Sequence, residues 1–243
     1  MNRVKISEKS SLAEIRERFD SDVDRFSRLE TGQTATIDAK LAMEVTCKVA
    51  ASATPEISQI LDIGCGAGNY SLQLMEETEG PISCHLSDLS QPMLDRARER
   101  VSALGRGPVQ MFAGDFRTLD FPEGSYDVIL AAAVLHHLRD SSDWENAFQK
   151  LYRLLRPGGG IWIVDLVHHS IPTVQNLMWE RYGEYLESLG GPEYRQKVFA
   201  YIEKEDSPRP LLWQLDLLKK VGFQNVEVLH KNSCFAAFGG IRS

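Results

Sequence analysis

The sequence predicts an α/β fold: a parallel sheet with helices on both faces, closed by an antiparallel C-terminal hairpin and carrying a helical insertion after strand five. Three observations predict it. From Pro55 onward, short apolar runs alternate with amphipathic stretches, the pattern of βαβ units around a parallel sheet. The rhythm breaks after Val167, where aromatics and charges recur at helical spacing. It returns near the C-terminus as two β runs, "NVEVLHK" and "CFAAFGGI", whose short polar connection can join only antiparallel neighbours.

Taken in order, residues 1–32 are polar with a weak apolar stripe (Leu12, Ile15, Phe19, Val23, Phe26), as expected of a helix laid over the rest of the molecule. A second helix is expected over 36–52, and Pro55 ends it. Strands follow near 58–64, 82–88, 109–114, 126–132 and 160–166, with helices near 69–78, 90–104 and 143–155. The helix at 90–104 has the clearest signals: Ser90 as cap, Pro92 in the first turn, and an apolar face from Met93 to Leu104. "RPGG" at 156–159 stops the next helix and turns the chain into strand five. The insertion covers 168–207, and Gly222 ends a last helix before the hairpin. The whole chain, 1–243, reads as a single domain with N-terminal helices over 1–55.

Bulk composition narrows the classes. With 243 residues, 43% of them hydrophobic and 25% charged, the chain is long enough for one α/β domain with an appendage. No apolar run reaches the roughly 20 residues that span a bilayer, and the charged N-terminus lacks the apolar core of a secretory signal. A cytoplasmic protein without membrane partners is expected. Cys47, Cys65, Cys84 and Cys234 form no C-x-x-C pair, so neither a zinc site nor a disulfide framework is expected. A net charge of −7 disfavours nucleic acid, whose phosphates supply most of the affinity in such complexes.

The chemistry concentrates in "LDIGCGAGNY", residues 61–70. Gly64, Gly66 and Gly68 suit a tight strand-to-helix turn that must take positive φ or approach a ligand closely. The helix that follows offers unpaired N–H groups to a polar ligand. The spacing is G-x-G-x-G with Asn69 where the dinucleotide fingerprint has its third glycine, which displaces a nicotinamide cofactor from first choice. Asp88, at the end of the second strand and about 20 residues on, stands where an acid of this fold accepts from ribose hydroxyls. Asp115 ends the third strand. Acids and glycines at one edge of the sheet describe a crevice for a nucleoside whose other end is cationic.

These residues resemble the class I S-adenosylmethionine-dependent methyltransferases, which share a Rossmann-like sheet. The resemblance covers about 57–167 and the closing hairpin, through "LDIGCGAGNYSL", "HLSDLSQPML", "AGDFRTLDFPEGSYDVILAAAVLHHL" and "LLRPGG". It implies that Gly64, Cys65, Gly66 and Gly68 pass under the methionine part of S-adenosylmethionine and that Asp62 orients its ammonium. It further implies that Asp88 and Leu89 hold ribose and adenine, that Asp115 and Phe116 take the adenine edge, and that Ala131 and Ala132 contact the methionine end. Asp62 has a second reading as a buried helix- or loop-capping acid.

A sulfonium methyl is already a strong electrophile, so alignment of an acceptor is the main requirement and a base is needed only for an acceptor of high pKa. The candidate bases are His136 and His137 after strand four, and His168 and His169 after strand five. Trp179, Arg181, Tyr182, Tyr185, Tyr194 and Arg195 of the insertion are candidates for an acceptor pocket, with arginine suited to a carboxylate or phosphate. The same residues read as a packing stripe with a solvated face, or as a homodimer surface. The absence of an "NPPY"-like run after strand four argues against amino-methylation of bases or amides by that route. The first expectation is methyl transfer to a small-molecule acceptor. A second is tRNA modification with S-adenosylmethionine or its carboxylated form, carboxy-S-adenosylmethionine, whose extra carboxylate would want an arginine such as Arg25 or Arg195. A third is a cofactor-binding protein without transfer activity.

Overall fold

The structure is a computed structural model and describes residues 6–28 and 33–243; the ends of the expected N-terminal stretch, 1–5 and 29–32, lie outside the described residues. Its centre is a seven-stranded sheet of order β3-β2-β1-β4-β5-β7-β6. The strands are β1 (Gln59–Ile63), β2 (Ser83–Asp88), β3 (Val109–Ala113), β4 (Tyr126–Ala132), β5 (Leu155–Leu166), β6 (Phe223–Asn232) and β7 (Phe235–Arg242). The first five are mutually parallel, and β7 runs antiparallel to both β5 and β6. The hairpin therefore closes the sheet as expected.

Period-two alternation in the central strands builds a core on each face. Leu61 and Ile63 of β1 and Ile129 and Ala131 of β4 point to one face, where α6 (Ser141–Leu154) and α8 (Leu211–Val221) pack. Ile60, Val128 and Leu130 point to the other, against α3 (Ala39–Ala53), α4 (Asn69–Glu76) and α5 (Gln91–Ala103). The Ser90 side chain accepts from the Met93 N–H at 3.3 Å, so the expected cap is formed.

The elements depart from expectation in two places, and the expected helical insertion carries a kink. The N-terminal helix is broken into α1 (Leu12–Asp20) and α2 (Val23–Phe26), because Ser21 and Asp22 end the first and start the second. α1 begins with a reciprocal capping box between Ser11 and Glu14. Strand five starts directly after α6: Leu155 pairs with Tyr126, and "RPGG" forms an irregularity within the strand before Gly160 pairs with Val128. The insertion is α7 (Pro172–Glu205), kinked where Gly190 and Gly191 leave helical geometry just before Pro192. The two arms close on each other, with Trp179 stacked on Phe199 at 4.5 Å. They bury Tyr182, Leu186, Val198 and Ile202 against Leu166 and Phe235. α7 is thereby seated over the carboxyl ends of β5 and the start of β7.

Candidate functional site

The carboxyl ends of β1, β2, β4 and β5 open on one cavity, roofed by α1, α2 and both arms of α7. Its first wall is the turn between β1 and α4. Gly66 has φ +51°, and a Cβ there would meet no protein atom within 4 Å, so the backbone lies bare to whatever fills the cavity. Its N–H donates to Asp88 Oδ2 at 2.9 Å, while Asp88 Oδ1 accepts from the Ser90 N–H at 2.9 Å. Asp88 thus fixes the loop and still borders the cavity, and burial pushes its carboxyl pKa up. Gly68 corrects an expectation. It does not border the cavity, and a Cβ on it would stand 3.2 Å from Ala97 Cβ, so its bareness lets α4 pack on α5. Asn69 explains the missing third glycine of the dinucleotide pattern: Nδ2 donates to the Phe26 carbonyl at 3.1 Å and Oδ1 accepts from Arg100 at 2.8 Å. It ties α2 and α5 to the loop.

Asp62 combines the two readings the sequence left open. Its Oδ2 accepts from the Ser71 hydroxyl at 2.7 Å, and it also borders the cavity. Burial lifts its pKa to about 7, against the opposing bond from Ser71 and with a smaller push from Asp88. Cys65, Leu89, Phe116 and Ala132 border the cavity. Ala131 does not: it is fully buried in the α6 face, and Ala133, with φ +54°, stands on the cavity beside Ala132. The alternation of β4 puts Ala131 under the sheet. Asp115 borders the cavity with its carboxylate already engaged by Arg117, whose Nε reaches Oδ2 at 2.9 Å and whose other end holds Asp143 at 2.6 Å.

The histidines divide. His136 and His137, in the 3-10 turn Leu135–His137 after β4, border the cavity. His168 and His169 do not. After Leu166 the chain turns toward α8, so His168 bridges to Pro210, while His169 bonds Gln175 and meets Lys231 Nζ at 3.0 Å. The expectation that these two face an acceptor is therefore corrected. Among the insertion candidates Tyr182 alone borders the cavity. Trp179 packs on Phe199, Arg195 is held by Glu180 at 2.7 Å and Glu187 at 2.9 Å, and Tyr194 packs with the same cluster. Arg181 and Tyr185 border a separate depression beside Asp38. A helix shows only one face to a cavity, and the folded-back second arm of α7 takes up the others.

What the sequence did not reveal is a buried polar centre at the roof. Asp165, near the end of β5, accepts the backbone N–H of Leu135 at 2.8 Å and of His136 at 3.1 Å, and its other oxygen meets His136 Nδ1. Asp206, just past α7, lies 3.7 Å from His136 Nε2 and 3.2 Å from His137 Nδ1. Burial favours a neutral His136 ring, but Asp165 and Asp206 outweigh it and raise its pKa to about 9. Burial likewise opposes ionisation of Asp206, and the two imidazoles outweigh it, holding that carboxyl low. Asp165 had a signal, an acid at a strand's carboxyl end. Asp206 had none, because only the packing of α7 brings it to a turn 70 residues earlier in the chain. Phe19, Phe26, Tyr201 and Ile202 complete an apolar wall next to this centre.

A sheet of this order, with a bare glycine turn and acids at the ends of β1 and β2, is the Rossmann-like fold of S-adenosylmethionine-dependent methyltransferases. Residues 60–159 match the family described as a methyltransferase domain. Among named relatives, the demethylmenaquinone methyltransferase of Lactococcus lactis subsp. lactis is 27% identical over 172 residues, spanning 69% of this chain and 66% of the relative. That of Listeria monocytogenes is 25% identical over 191 residues, spanning 76% of this chain and 78% of the relative. In fold, the chain is similar to an O-methyltransferase family protein from Burkholderia thailandensis, with a TM-score of 0.65 at 18% identity, over 96% of this chain and 61% of the other. It is also similar to human N-acetylserotonin methyltransferase in complex with S-adenosylmethionine, with a TM-score of 0.62 at 17% identity, over 96% and 59%. The chain thus spans about six tenths of those two structures. Among the described residues no helix is long and apolar enough to cross a membrane.

Proposed function

We propose that the chain transfers the methyl group of S-adenosylmethionine to a hydroxylated aromatic or quinol-like small molecule. The observation that carries this reading is the continuity of one cavity. It is bounded at one end by Asp62, Gly66 and Asp88, and at the other by Phe19, Phe26, Tyr182 and Tyr201 around the His136–Asp165–Asp206 centre. The first set fits the cofactor: a bare backbone with open space above Gly66, and a buried acid at Asp62 suited to an ammonium. Asp62, Gly64, Cys65 and Gly66 would hold the methionine part, Asp88 and Leu89 the ribose, and Asp115 and Phe116 the adenine edge. When bound, S-adenosylmethionine supplies an electrophilic methyl group on a cationic sulfur.

The second set does the rest. Its aromatic walls exclude water and stack a planar acceptor, and the polar centre meets the acceptor's oxygen. The names of the lactococcal and listerial relatives support an acceptor of the demethylmenaquinone kind. The insertion, with Leu177 and Leu189 exposed, is the surface we assign to self-association, and the charge of −7 supports a small-molecule acceptor rather than tRNA.

The test is calorimetry with S-adenosylhomocysteine, followed by transfer of labelled methyl to demethylmenaquinol, to simpler dihydroxyaromatics and to bulk tRNA. Label in the aromatic arms is expected. Label only in tRNA, or cofactor binding without transfer to any arm, would replace this reading. Mass spectrometry of the co-purifying ligand distinguishes the carboxylated cofactor, for which Arg25, unlike Arg195, stands on the cavity wall.

A further inference from the structure

The polar centre has the composition and spacing of a metal site. His136, His137 and Asp206 each present one donor atom, and the three lie within 4.8 Å of one another. Two close separations, 3.2 Å from Asp206 Oδ1 to His137 Nδ1 and 3.7 Å to His136 Nε2, match donors that share an ion at bond lengths of about 2.0–2.2 Å.

Two further observations point to a ligand. Asp206 Oδ1 and His137 Nδ1 are buried and, among the described residues, make no hydrogen bond of good geometry, although they stand 3.2 Å apart; the Asp206 residue is only 5% exposed. A buried carboxylate oxygen that faces two imidazole nitrogens without a hydrogen bond to either is a donor set that one shared cation would satisfy. His136, meanwhile, is oriented from behind. Asp165 takes its Nδ1, and the same carboxylate is anchored by the N–H groups of Leu135, His136 and Leu166. A carboxylate behind a histidine fixes the tautomer and leaves Nε2 as the donor, the arrangement found behind metal-bound imidazoles. Asp165 and Asp206 together balance a divalent charge. The cations packed around it are engaged elsewhere: Lys9 donates to the Glu203 and Asp206 carbonyls, Arg139 to the Glu205 carbonyl, and Arg18 to the Glu205 carboxylate at 2.9 Å.

We propose that His136, His137 and Asp206 bind a divalent transition-metal ion, with Asp165 as the supporting carboxylate. Two imidazoles and one carboxylate leave coordination positions open, and these face the cavity that Phe19 and Tyr201 wall. The ion would take an oxygen of the acceptor and favour its deprotonated form, the proton passing to solvent. This role rests on the function proposed above; the site itself does not.

Protein stripped with a chelator and dialysed is titrated with Zn2+ by calorimetry, and with Co2+ followed by visible absorption. One ion per chain is expected, with the visible bands of imidazole-coordinated Co2+. The double variant His137→Ala, Asp206→Asn should lose it while keeping S-adenosylhomocysteine affinity, which also shows that the variant folds. Asp165→Asn should weaken binding about 10–100-fold. Absence of stoichiometric binding, or binding retained by the double variant, overturns the proposal. Failure to bind S-adenosylhomocysteine would instead overturn the cofactor reading and leave the metal result standing.

Discussion

Arg18 of α1 and Glu205 at the end of α7 are joined through Nε at 2.9 Å, although 187 residues separate them. This pair fastens the N-terminal helices to the insertion across the roof of the cavity. Ser10 adds a backbone bond to Lys204 at 3.0 Å, and Arg139 Nη2 reaches the Ser10 carbonyl at 2.9 Å. Glu205 is 6% exposed, so Arg18→Ala leaves a buried carboxylate without its main partner. A stability loss of about 1–3 kcal/mol is expected in urea denaturation, together with a raised acceptor KM. An unchanged midpoint would mean that the roof does not depend on this pair.

The cofactor end should be pH-sensitive through Asp62. Burial raises its pKa from 3.8 to about 7, so the folded, ligand-free protein holds this proton more tightly than the unfolded chain. Its contribution to stability is full below pH about 4 and is lost as pH rises through about 7. An ammonium beside Asp62 favours the ionised form. Affinity for S-adenosylhomocysteine is therefore expected to rise between pH about 5 and 7 and then level off, with proton release visible in buffers of different ionisation enthalpy. Asp62→Asn should weaken binding and flatten the profile; an identical profile in the variant would remove Asp62 from this role.

The glycines of the turn should separate by assay. Alanine at Gly66 or Gly68 incurs left-handed strain of about 1–2 kcal/mol. At Gly68 it also crowds Ala97 and Val101 at 3.2 and 3.3 Å, whereas at Gly66 it enters open space. Gly68→Ala is expected to lower Tm further than Gly66→Ala. Gly66→Ala should keep the fold and lose at least tenfold in cofactor affinity, measured by calorimetry on the same preparations.

On the acceptor side, Phe19→Ala should raise acceptor KM several-fold with cofactor affinity unchanged, since Phe19 borders the cavity beside His137. His169→Ala should leave turnover within about twofold, because His169 is occupied with Gln175 and Lys231 outside the cavity. Steady-state kinetics on the two variants checks both. The reverse pattern would move the acceptor to the far side of β5.

The local sequence determined the sheet, its hairpin closure, the cap at Ser90 and the cavity wall at Asp62, Gly66 and Asp88. Each of those rests on signals within a few residues: alternation, a capping serine, glycines in one turn, an acid at a strand end. Tertiary structure decided the opposite wall, around His136 and Tyr182. Whether Tyr182 or Trp179 faces the cavity depends on how α7 folds back at Gly190 and Gly191, and whether His136 or His169 does depends on where the chain goes after Leu166. Asp206 meets His136 only because two distant segments pack together, and spacing along a chain carries no record of a contact made across 70 residues of it.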